Sequence, residues 1–334
     1  MKALAPCKVI LFGEHAVVYD KRGIATAIGE GTTVETSASE GGIMLRHPFS
    51  NGAAAISRAE LLGKLERFNQ LYTARDFARL GGLTFQDAMH VVIAETMRRF
   101  GFDDLMIDVR FEGRMKGIGR SASVYSAIAT AVSAHVGAAP QRKEISEIAY
   151  LGDVVSHAGM PSGIDTSTVT FGNYLSYKKS EGPIPLKIKY SMPLLLIDSG
   201  EPGQTKAAIA HVAMLRRQNP EEIGAVMDRI DGISEDAIKL LRRGDLEGIG
   251  ELADENNSLL RQLGISTPKL DEIISIAKQN GARGAKITGA GKGGCAIAIT
   301  GSNEDSERLR GIYLSRGYNA IVTSVGVEGA RVEE

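Results

Sequence analysis

Residues 5–19 read APCKVILFGEHAVVY, and this stretch decides how the rest of the chain is interpreted. Its apolar run Val9–Phe12 is typical of a β-strand, and Gly13 follows it as a turn residue. Similar short apolar runs, punctuated by Gly and Asp, occur at 24–28, 32–37 and 43–45. Together they predict an antiparallel, β-rich opening to the chain.

The composition describes a globular protein of moderate size. The chain has 334 residues, of which 43% are hydrophobic and 24% are charged. This length is too great for one ordinary core, so we expect two domains of similar size, residues 1–180 and 181–334. A stretch rich in Lys, Ser, Pro and Gly at 178–190 is the predicted linker between them.

Charge and aromatic content argue against several classes of protein. The formal net charge is −1 and the chain contains no Trp, so neither a polyanion-binding field nor many base-stacking side chains are expected. The sequence contains no apolar run of about 18 residues, so no membrane span is predicted. The first ten residues do not resemble a signal peptide. We therefore expect a cytoplasmic protein that binds neither nucleic acid nor membrane. Cys7 and Cys295 lie far apart in the sequence and are interpreted as small buried side chains.

Apolar periodicity places most of the remaining elements. Spacings of three and four predict a helix over 84–100 that ends at Gly101, and alternation predicts a strand over 105–111. The same patterns predict further helices at 121–136, 142–157, 205–216, 220–242, 245–263, 267–280 and 303–316, and strands at 173–177, 193–197, 285–288, 296–299 and 319–325. The second half is therefore α+β.

A glycine-rich loop stands between a predicted strand and a predicted helix. Its residues are Lys116, Gly117, Ile118, Gly119, Arg120, Ser121, Ala122 and Ser123. Backbone amides, two hydroxyls and a helix N-terminus in one place suit phosphate oxygens, although a tight turn with a Ser cap explains the same pattern. The loop lacks the Walker spacing.

Two further loops carry candidate chemistry. Residues 288–295 read TGAGKGGC between two apolar strands, where so many glycines would cost stability unless the backbone approaches a ligand closely. Residues 161–165 read PSGID, which places the Asp165 carboxylate on a turn. That carboxylate could accept a proton from a hydroxyl or balance a lysine, and an ordinary Asx-type turn is the alternative.

The four segments 5–19, 117–123, 161–165 and 286–295 resemble, in the same order, the motifs of the GHMP kinase superfamily. The portion GEHAVVY is most similar to the mevalonate kinase branch. This resemblance covers nearly the whole chain. It implies an α+β fold of two domains, with an N-terminal half like ribosomal protein S5 domain 2 and a ferredoxin-like C-terminal half. It also implies ATP and Mg²⁺ as cofactors, a small-molecule acceptor, and a homodimer.

The same resemblance implies roles for individual residues. Asp165 would be the catalytic carboxylate with Lys8 as its cationic partner, and residues 116–123 would bind the nucleotide. Ser121 and Asp153 would be the magnesium ligands, the latter if one residue is inserted before the PSGID turn. The residues expected near the acceptor are Glu14, His15, Gly289, Ala290, Gly291 and Lys292. Phosphoryl transfer needs positioning and charge neutralisation, which such a set supplies without a covalent nucleophile.

The chain departs from the family pattern at several positions. Cys7 stands where Gly is usual, and Arg120 and Lys292 replace a Ser and a Gly in or beside the phosphate-binding loops. These cations either hold ATP or accommodate an acceptor that already carries a phosphate, and solvated surface side chains are the plain alternative.

Three functions remain open from the sequence. The first is phosphorylation of the 5-hydroxyl of mevalonate or a derivative such as mevalonate 3-phosphate. The second is another GHMP kinase activity, on phosphomevalonate or a sugar. The third is an ATP-binding regulator without activity, against which the presence of Lys8, Ser121 and Asp165 argues.

Overall fold

The computed structural model of the protein describes residues 1–111, 115 and 117–333. Twelve strands lie in these residues: β1 Lys2–Phe12, β2 Gly23–Ser37, β3 Ile43–Arg46, β4 Ala54–Ile56, β5 Leu105–Phe111, β6 Tyr174–Lys178, β7 Gly182–Leu186, β8 Leu194–Asp198, β9 Gly284–Thr288, β10 Cys295–Ile299, β11 Asn319–Thr323 and β12 Arg331–Glu333.

The described residues also form eleven α-helices and one short 3₁₀ helix at Ala16–Tyr19. The α-helices are α1 Arg58–Thr73, α2 Phe77–Gly81, α3 Phe85–Phe100, α4 Arg120–His135, α5 Arg142–Ser156, α6 Ile164–Phe171, α7 Thr205–Gln218, α8 Pro220–Arg243, α9 Leu246–Gln262, α10 Pro268–Gln279 and α11 Asn303–Ser315.

The first sheet has eight strands and is built around β2. Its main path runs β12-β1-β2-β5-β3-β4, and β6 pairs with the beginning of β2 while β7 pairs with β6. All of these pairs are antiparallel except β3 with β5. Helices α1, α3, α4 and α5 share one apolar core with this sheet. The predicted β-rich opening is therefore confirmed.

The second sheet has four antiparallel strands in the order β11-β8-β10-β9. Its apolar face packs against α8, α10 and α11, and a further core joins it to the first sheet. Val9 and Leu11 of β1 lie in that joint core together with Leu194, Leu196 and Ile297. The two halves are thus packed on one another through buried apolar side chains.

The predicted linker at 178–190 is wrong in part, because β7 lies inside it. Pro183 and Pro185 gave the stretch its linker composition, yet proline is tolerated in an edge strand such as β7, which pairs only with β6. Both β7 and the terminal strand β12 belong to the first sheet. The division into residues 1–180 and 181–334 stays a prediction.

Most of the predicted helices and strands are confirmed within one or two residues. Helix α3 begins after Thr84, whose hydroxyl accepts from the Asp87 N–H in a capping box, and it ends at Gly101 with φ +70°. Helices α1, α2 and α6 were not predicted. Across the described part of the chain, none of the helices is long and apolar enough to cross a membrane.

Candidate active site

A cavity of about 380 Å³ lies between the two halves of the molecule. The first half contributes the end of β1, the loop that precedes α4, the end of α5 and the turn that precedes α6. The second half contributes the beginning of α7 and the loop between β9 and β10. Segments that are far apart in sequence, including all four identified as motifs, therefore meet at one place.

Lys8 and Asp165 form an ion pair on the wall of this cavity. The Lys8 Nζ lies 2.7 Å from Asp165 Oδ1, and the two side chains are 3% and 18% exposed. Lys8 comes from the middle of β1, and Asp165 comes from the first turn of α6. Burial opposes ionisation of Asp165, but the charges of Lys8 and His157 outweigh it and hold the pKa of this carboxyl below its usual value. Asp165 is therefore ionised at neutral pH.

His157 lies between two carboxylates at the end of α5. Its Nδ1 is 3.1 Å from Asp153 Oδ1 and 3.0 Å from the Asp153 carbonyl oxygen. Ligand atoms of Asp153, His157 and Asp165 all lie within 4.8 Å of one another. Burial disfavours the imidazolium, yet the charges of Asp153 and Asp165 outweigh burial and raise the pKa of His157 to about 9. With Lys8, this wall therefore carries two acidic and two basic groups.

The Gly119 backbone packs directly against the Lys8 side chain. Gly119 has φ +71°, and a Cβ built there would lie 2.6 Å from Lys8 Cε. The Lys8 N–H also donates to the Ile118 carbonyl at 2.9 Å. Only glycine suits both this backbone conformation and this close contact. The loop before α4 therefore packs against the aliphatic part of Lys8 and directs its ammonium group toward Asp165.

Helices α4 and α7 begin at the cavity without a side-chain N-cap. Six helices that begin elsewhere are capped by Ser57, Asp76, Thr84, Asp245, Thr267 and Ser302. The first amides of a helix lack partners within the helix and attract anions. Gly119, Arg120 and Ser121 line the cavity from α4, and Gly203 and Thr205 line it from the beginning of α7. The beginnings of α4 and α7 therefore offer helix N-termini to negatively charged groups in the cavity.

Glu14 pairs with Lys286 of β9 beneath the cavity. Neither side chain is exposed, and Lys286 Nζ also donates to the Ile287 carbonyl at 2.7 Å. Burial raises the pKa of Glu14 and lowers that of Lys286, and the attraction within the pair opposes both changes. Because Glu14 belongs to the first half and Lys286 to the second, the pair ties the two halves together.

Two neighbours of Lys286 make further contacts between the halves. Thr288 Oγ1 accepts from the Ile10 N–H and donates to the Ile10 carbonyl, each at 3.0 Å. His15 Nε2 lies 2.8 Å from the Ala290 carbonyl oxygen. Residues 286, 288 and 290 lie on the same face of β9 and of its extension, and this face contacts residues 10–15 at the end of β1 and just after it. Burial lowers the pKa of His15, which is neutral at pH 7 and donates through Nε2 to that carbonyl.

The remaining predicted site residues divide between the cavity and its surroundings. Ala122, Gly289, Ala290 and Gly291 line the cavity. Ser123 is buried, and its hydroxyl donates to the Ala5 carbonyl at 2.8 Å. Ile118 is buried as well. Lys116 lies outside the described residues.

The two unusual cations lie in different places. Arg120 lines the cavity, and its guanidinium group stacks 4.6 Å above the centroid of the Phe111 ring. Lys292 has φ +52° and lines a neighbouring cavity with Glu201, Gln204 and Thr267, whereas the main cavity is lined by its neighbours Gly291 and Gly293.

No functional role was predicted from the sequence for His157, Lys286, Thr288 or the beginning of α7. The spacing of four between Asp153 and His157 on a helix was a usable signal, since it places both side chains on one face. The spacing of two between Lys286 and Thr288 on a predicted strand was a second usable signal, since it places both side chains on one face. The approach of α7 to the cavity left no local signal, because it depends on how the two halves pack.

The chain is similar to known proteins over nearly its whole length. The family model described as GHMP kinases C terminal matches residues 237–319. A mevalonate kinase of Pyrococcus horikoshii is 31% identical to the chain, over 99% of this chain and 97% of that protein. A crystal structure of a mevalonate kinase superimposes with a TM-score of 0.81 at 26% identity, covering 98% of this chain and all of that one. The Methanococcus jannaschii mevalonate kinase gives 0.79 at 26% identity, covering 100% and 98%. The chain belongs to the mevalonate kinase family of the GHMP kinases, and its fold is the two-domain α+β fold of that family.

Proposed function

We propose that this protein transfers the γ-phosphoryl group of ATP to the 5-hydroxyl group of mevalonate or a mevalonate derivative. The observation that carries the proposal is the buried pair of Lys8 and Asp165, which faces the cavity beside the uncapped N-terminus of α4. Asp165 can interact with the hydroxyl group of an acceptor, and the N-terminus of α4 can bind the phosphates of a nucleotide.

In this proposal the α4 end of the cavity binds the phosphates of ATP. Backbone amides from 119 onward supply donors, and the α4 dipole favours negative charge. Ser121 lines the same space. These groups neutralise charge on the nucleotide and position its terminal phosphate for in-line transfer.

Asp165 orients the attacking hydroxyl. Because its pKa is lowered, the carboxylate is a weak base, which suits a loose transition state in which the hydroxyl proton is transferred late. Lys8 keeps Asp165 ionised and in place, and it also attracts the transferred group. His157 adds a second positive charge to this wall. Glu14, His15 and residues 289–291 line the cavity and would lie near the acceptor.

Mg²⁺ is part of the proposal, and the donor set suits it. Asp153 is buried, lines the cavity, and its Oδ1 accepts no well-aligned hydrogen bond from any described residue. Oxygen atoms of a carboxylate and a hydroxyl are ligands that Mg²⁺ prefers, so Asp153 and Ser121 would hold it together with phosphate oxygens. The ion would neutralise charge on the phosphates. The predicted cytoplasmic location and homodimer also belong to the proposal.

Arg120 favours a second candidate, an acceptor that already carries a phosphate such as mevalonate 3-phosphate. It stands where the family pattern has Ser, and it lines the cavity. Lys292 gives this candidate less support, because its side chain lines the neighbouring cavity.

An ADP-release assay tests both candidates in one experiment. The purified protein is mixed with MgATP and, in turn, with mevalonate, mevalonate 3-phosphate, mevalonate 5-phosphate, homoserine and galactose. We expect turnover with mevalonate or mevalonate 3-phosphate and only background rates with homoserine and galactose. No ADP release with any acceptor would contradict the proposed activity.

A further inference from the structure

Tyr125 is a fully buried residue of α4 that lies beside the cavity. Together with Tyr313 it is one of the two largest fully buried side chains in the described part of the molecule. Burying a phenol hydroxyl costs free energy unless the hydroxyl is hydrogen-bonded, whereas phenylalanine fills similar space without that cost. The partners of the Tyr125 hydroxyl therefore indicate what this residue does.

The first partner of the Tyr125 hydroxyl lies at the end of α5. Tyr125 Oη is 2.7 Å from Ser156 Oγ. The Tyr125 ring fits against α5 at Gly152, where an added Cβ would lie 2.7 Å from a ring carbon. Glycine inside a helix is unfavourable relative to alanine, but at this position it allows the two helices to approach closely. The side chain of Tyr125 thus joins α4 to α5.

The same hydroxyl is close to Ser121 and Asp153. Ser121 precedes Tyr125 by four residues, so both side chains lie on one face of α4, and helical side chains lean toward the helix N-terminus. Burial raises the pKa of Tyr125 and the charge of Asp153 raises it further, whereas hydrogen bonds with the Ser156 and Ser121 hydroxyls oppose the change. One phenol therefore interacts with groups from both helices.

The two candidate magnesium ligands belong to these two helices. Ser121 lies in the first turn of α4, and Asp153 lies in the last turn of α5. Both line the cavity, as does Ser156. The distance between the two ligands is set by neither helix alone, because it depends on how α4 and α5 are held together. The Tyr125 hydroxyl lies at the contact that holds them.

We propose that Tyr125 is a positioning residue of the magnesium site, whose hydroxyl joins Ser121 to Ser156 and so fixes Ser121 relative to Asp153. This inference rests on the proposed function, because it takes Ser121 and Asp153 as the magnesium ligands. A serine oxygen that binds a cation still has a hydroxyl proton to donate. The Tyr125 oxygen accepts that proton in a hydrogen bond, and the Tyr125 O–H donates in turn to Ser156. Such outer partners keep a metal ligand oriented.

Binding measurements with Tyr125→Phe test this role, because the variant loses only the hydroxyl. Calorimetry gives the affinity for the non-hydrolysable ATP analogue AMPPNP with Mn²⁺ and, separately, with EDTA. The ratio of the two affinities should fall roughly tenfold, the lower end of the range for outer partners of a metal ligand. Binding in EDTA should be unchanged. Equal weakening in both conditions, or an unchanged ratio, would overturn the proposal.

Tyr313→Phe is the matched control. Tyr313 is as deeply buried as Tyr125, and its hydroxyl donates to the Ile273 carbonyl in the second half of the molecule. This variant also loses a buried hydroxyl, so its thermal stability should fall while the ratio of affinities stays at the wild-type value. A loss of ratio in Tyr313→Phe equal to that in Tyr125→Phe would assign the effect to general destabilisation and refute the proposal.

Ser156 tests the other end of the contact, and its variants suffice if Tyr125→Phe does not fold. Ser156→Ala should lower the ratio in the same direction, and Ser156→Thr, which keeps a hydroxyl, should restore it. In a Ser121→Ala background, Tyr125→Phe should have a much smaller effect, because the phenol acts through Ser121. A wild-type ratio in Ser156→Ala, or a full loss on top of Ser121→Ala, would contradict the proposed connection.

The two proposals fail in different ways. If the wild-type protein releases ADP with mevalonate or its 3-phosphate while Tyr125→Phe keeps the wild-type ratio, only the positioning role is wrong. If the wild-type protein does not bind AMPPNP with or without Mn²⁺, the proposed function is wrong as well.

Discussion

Glu14 and Lys286 form an ion pair that is fully buried between the two halves of the molecule. Two charges removed from water in this way must compensate each other, because either one alone would be buried without a partner. Glu14 Oε2 accepts no hydrogen bond from the described residues, so the pair carries unused acceptor capacity at the cavity wall. Its structural consequence is a fixed position of β9 on the end of β1.

The first prediction concerns this pair. Glu14→Gln and Lys286→Met should each lower the free energy of unfolding by about 3–5 kcal/mol, since each leaves an uncompensated buried group. The double variant should lose clearly less than the sum of the two. Denaturant unfolding of all four proteins measures this coupling. Arg229→Met with Glu255→Gln is the exposed control pair, for which at most about 1 kcal/mol is expected. Additive losses at 14 and 286 would contradict the prediction.

The second prediction concerns Gly119. Gly119→Ala should displace the Lys8 side chain, because the new Cβ would lie 2.6 Å from Lys8 Cε. We expect kcat to fall at least about tenfold as the geometry around Asp165 is lost. Gly137→Ala is a matched control: Gly137 also has a positive φ, +75°, but nothing lies within 4 Å of its Cβ position. The control should show the backbone strain as reduced stability while kcat is retained. Similar kcat values for the two variants would show that the contact with Lys8 is unimportant.

The third prediction concerns Asp165. Asp165→Asn should lower kcat at least about a hundredfold and leave ATP binding within a few-fold, because the lost charge orients the acceptor hydroxyl rather than the nucleotide. Steady-state kinetics and ATP calorimetry on the same preparation separate the two effects. Turnover close to that of the wild type would remove Asp165 from the proposed mechanism.

The fourth prediction concerns Ser121. Ser121→Ala should raise the magnesium concentration required for half-maximal activity, whereas Ser121→Thr, which keeps a hydroxyl, should restore it. Asp153→Asn should have an effect in the same direction. A magnesium titration at saturating ATP measures all three. If the titration curves of Ser121→Ala and the wild type coincide, Ser121 does not bind Mg²⁺ and has only a structural role at the beginning of α4.

The fifth prediction concerns pH. The folded protein raises the pKa of His157 to about 9, above the unfolded value of about 6.5, so the imidazolium stabilises the fold fully below pH 6.5. This contribution, on the order of 3 kcal/mol from the size of the shift, should disappear as the pH rises through about 9. Unfolding free energies of wild type and His157→Gln, measured without Mg²⁺ from about pH 6 to about pH 9.5, should converge toward the alkaline end. A difference that stays constant over this range would mean that His157 does not titrate as described.

The sequence was sufficient for most elements whose pattern is local. Helix α3, for example, combines a capping box at Thr84 with apolar spacing of three and four and a terminal Gly101. Helix α1 was missed although Ser57 and Glu60 form a capping box there, because its buried residues Leu61, Leu65, Phe68 and Leu71 lie among many charged neighbours. Strand β7 was missed because two prolines suggest a linker unless the strand is known to lie at an edge.

Local sequence patterns were enough to identify the segments that carry the candidate chemistry. Gly119, Asp165 and the glycines of 289–294 stand in short stretches whose residue types are costly or unusual unless a ligand or a close contact requires them. Four such stretches in one order were enough to indicate the family. This information is local, since it concerns which backbone conformations and which side chains a few neighbouring residues allow.

The contacts that each of these residues makes depend on the tertiary structure. It brings Lys8 to Asp165 across half the length of the chain, and it makes Glu14 a buried partner of Lys286 instead of leaving it free in the cavity. It also directs Arg120 and Lys292 into different cavities, although both belong to glycine-rich loops. The physical reason is that burial and ion pairing depend on how helices and sheets from distant parts of the chain pack together, and no short segment contains that packing.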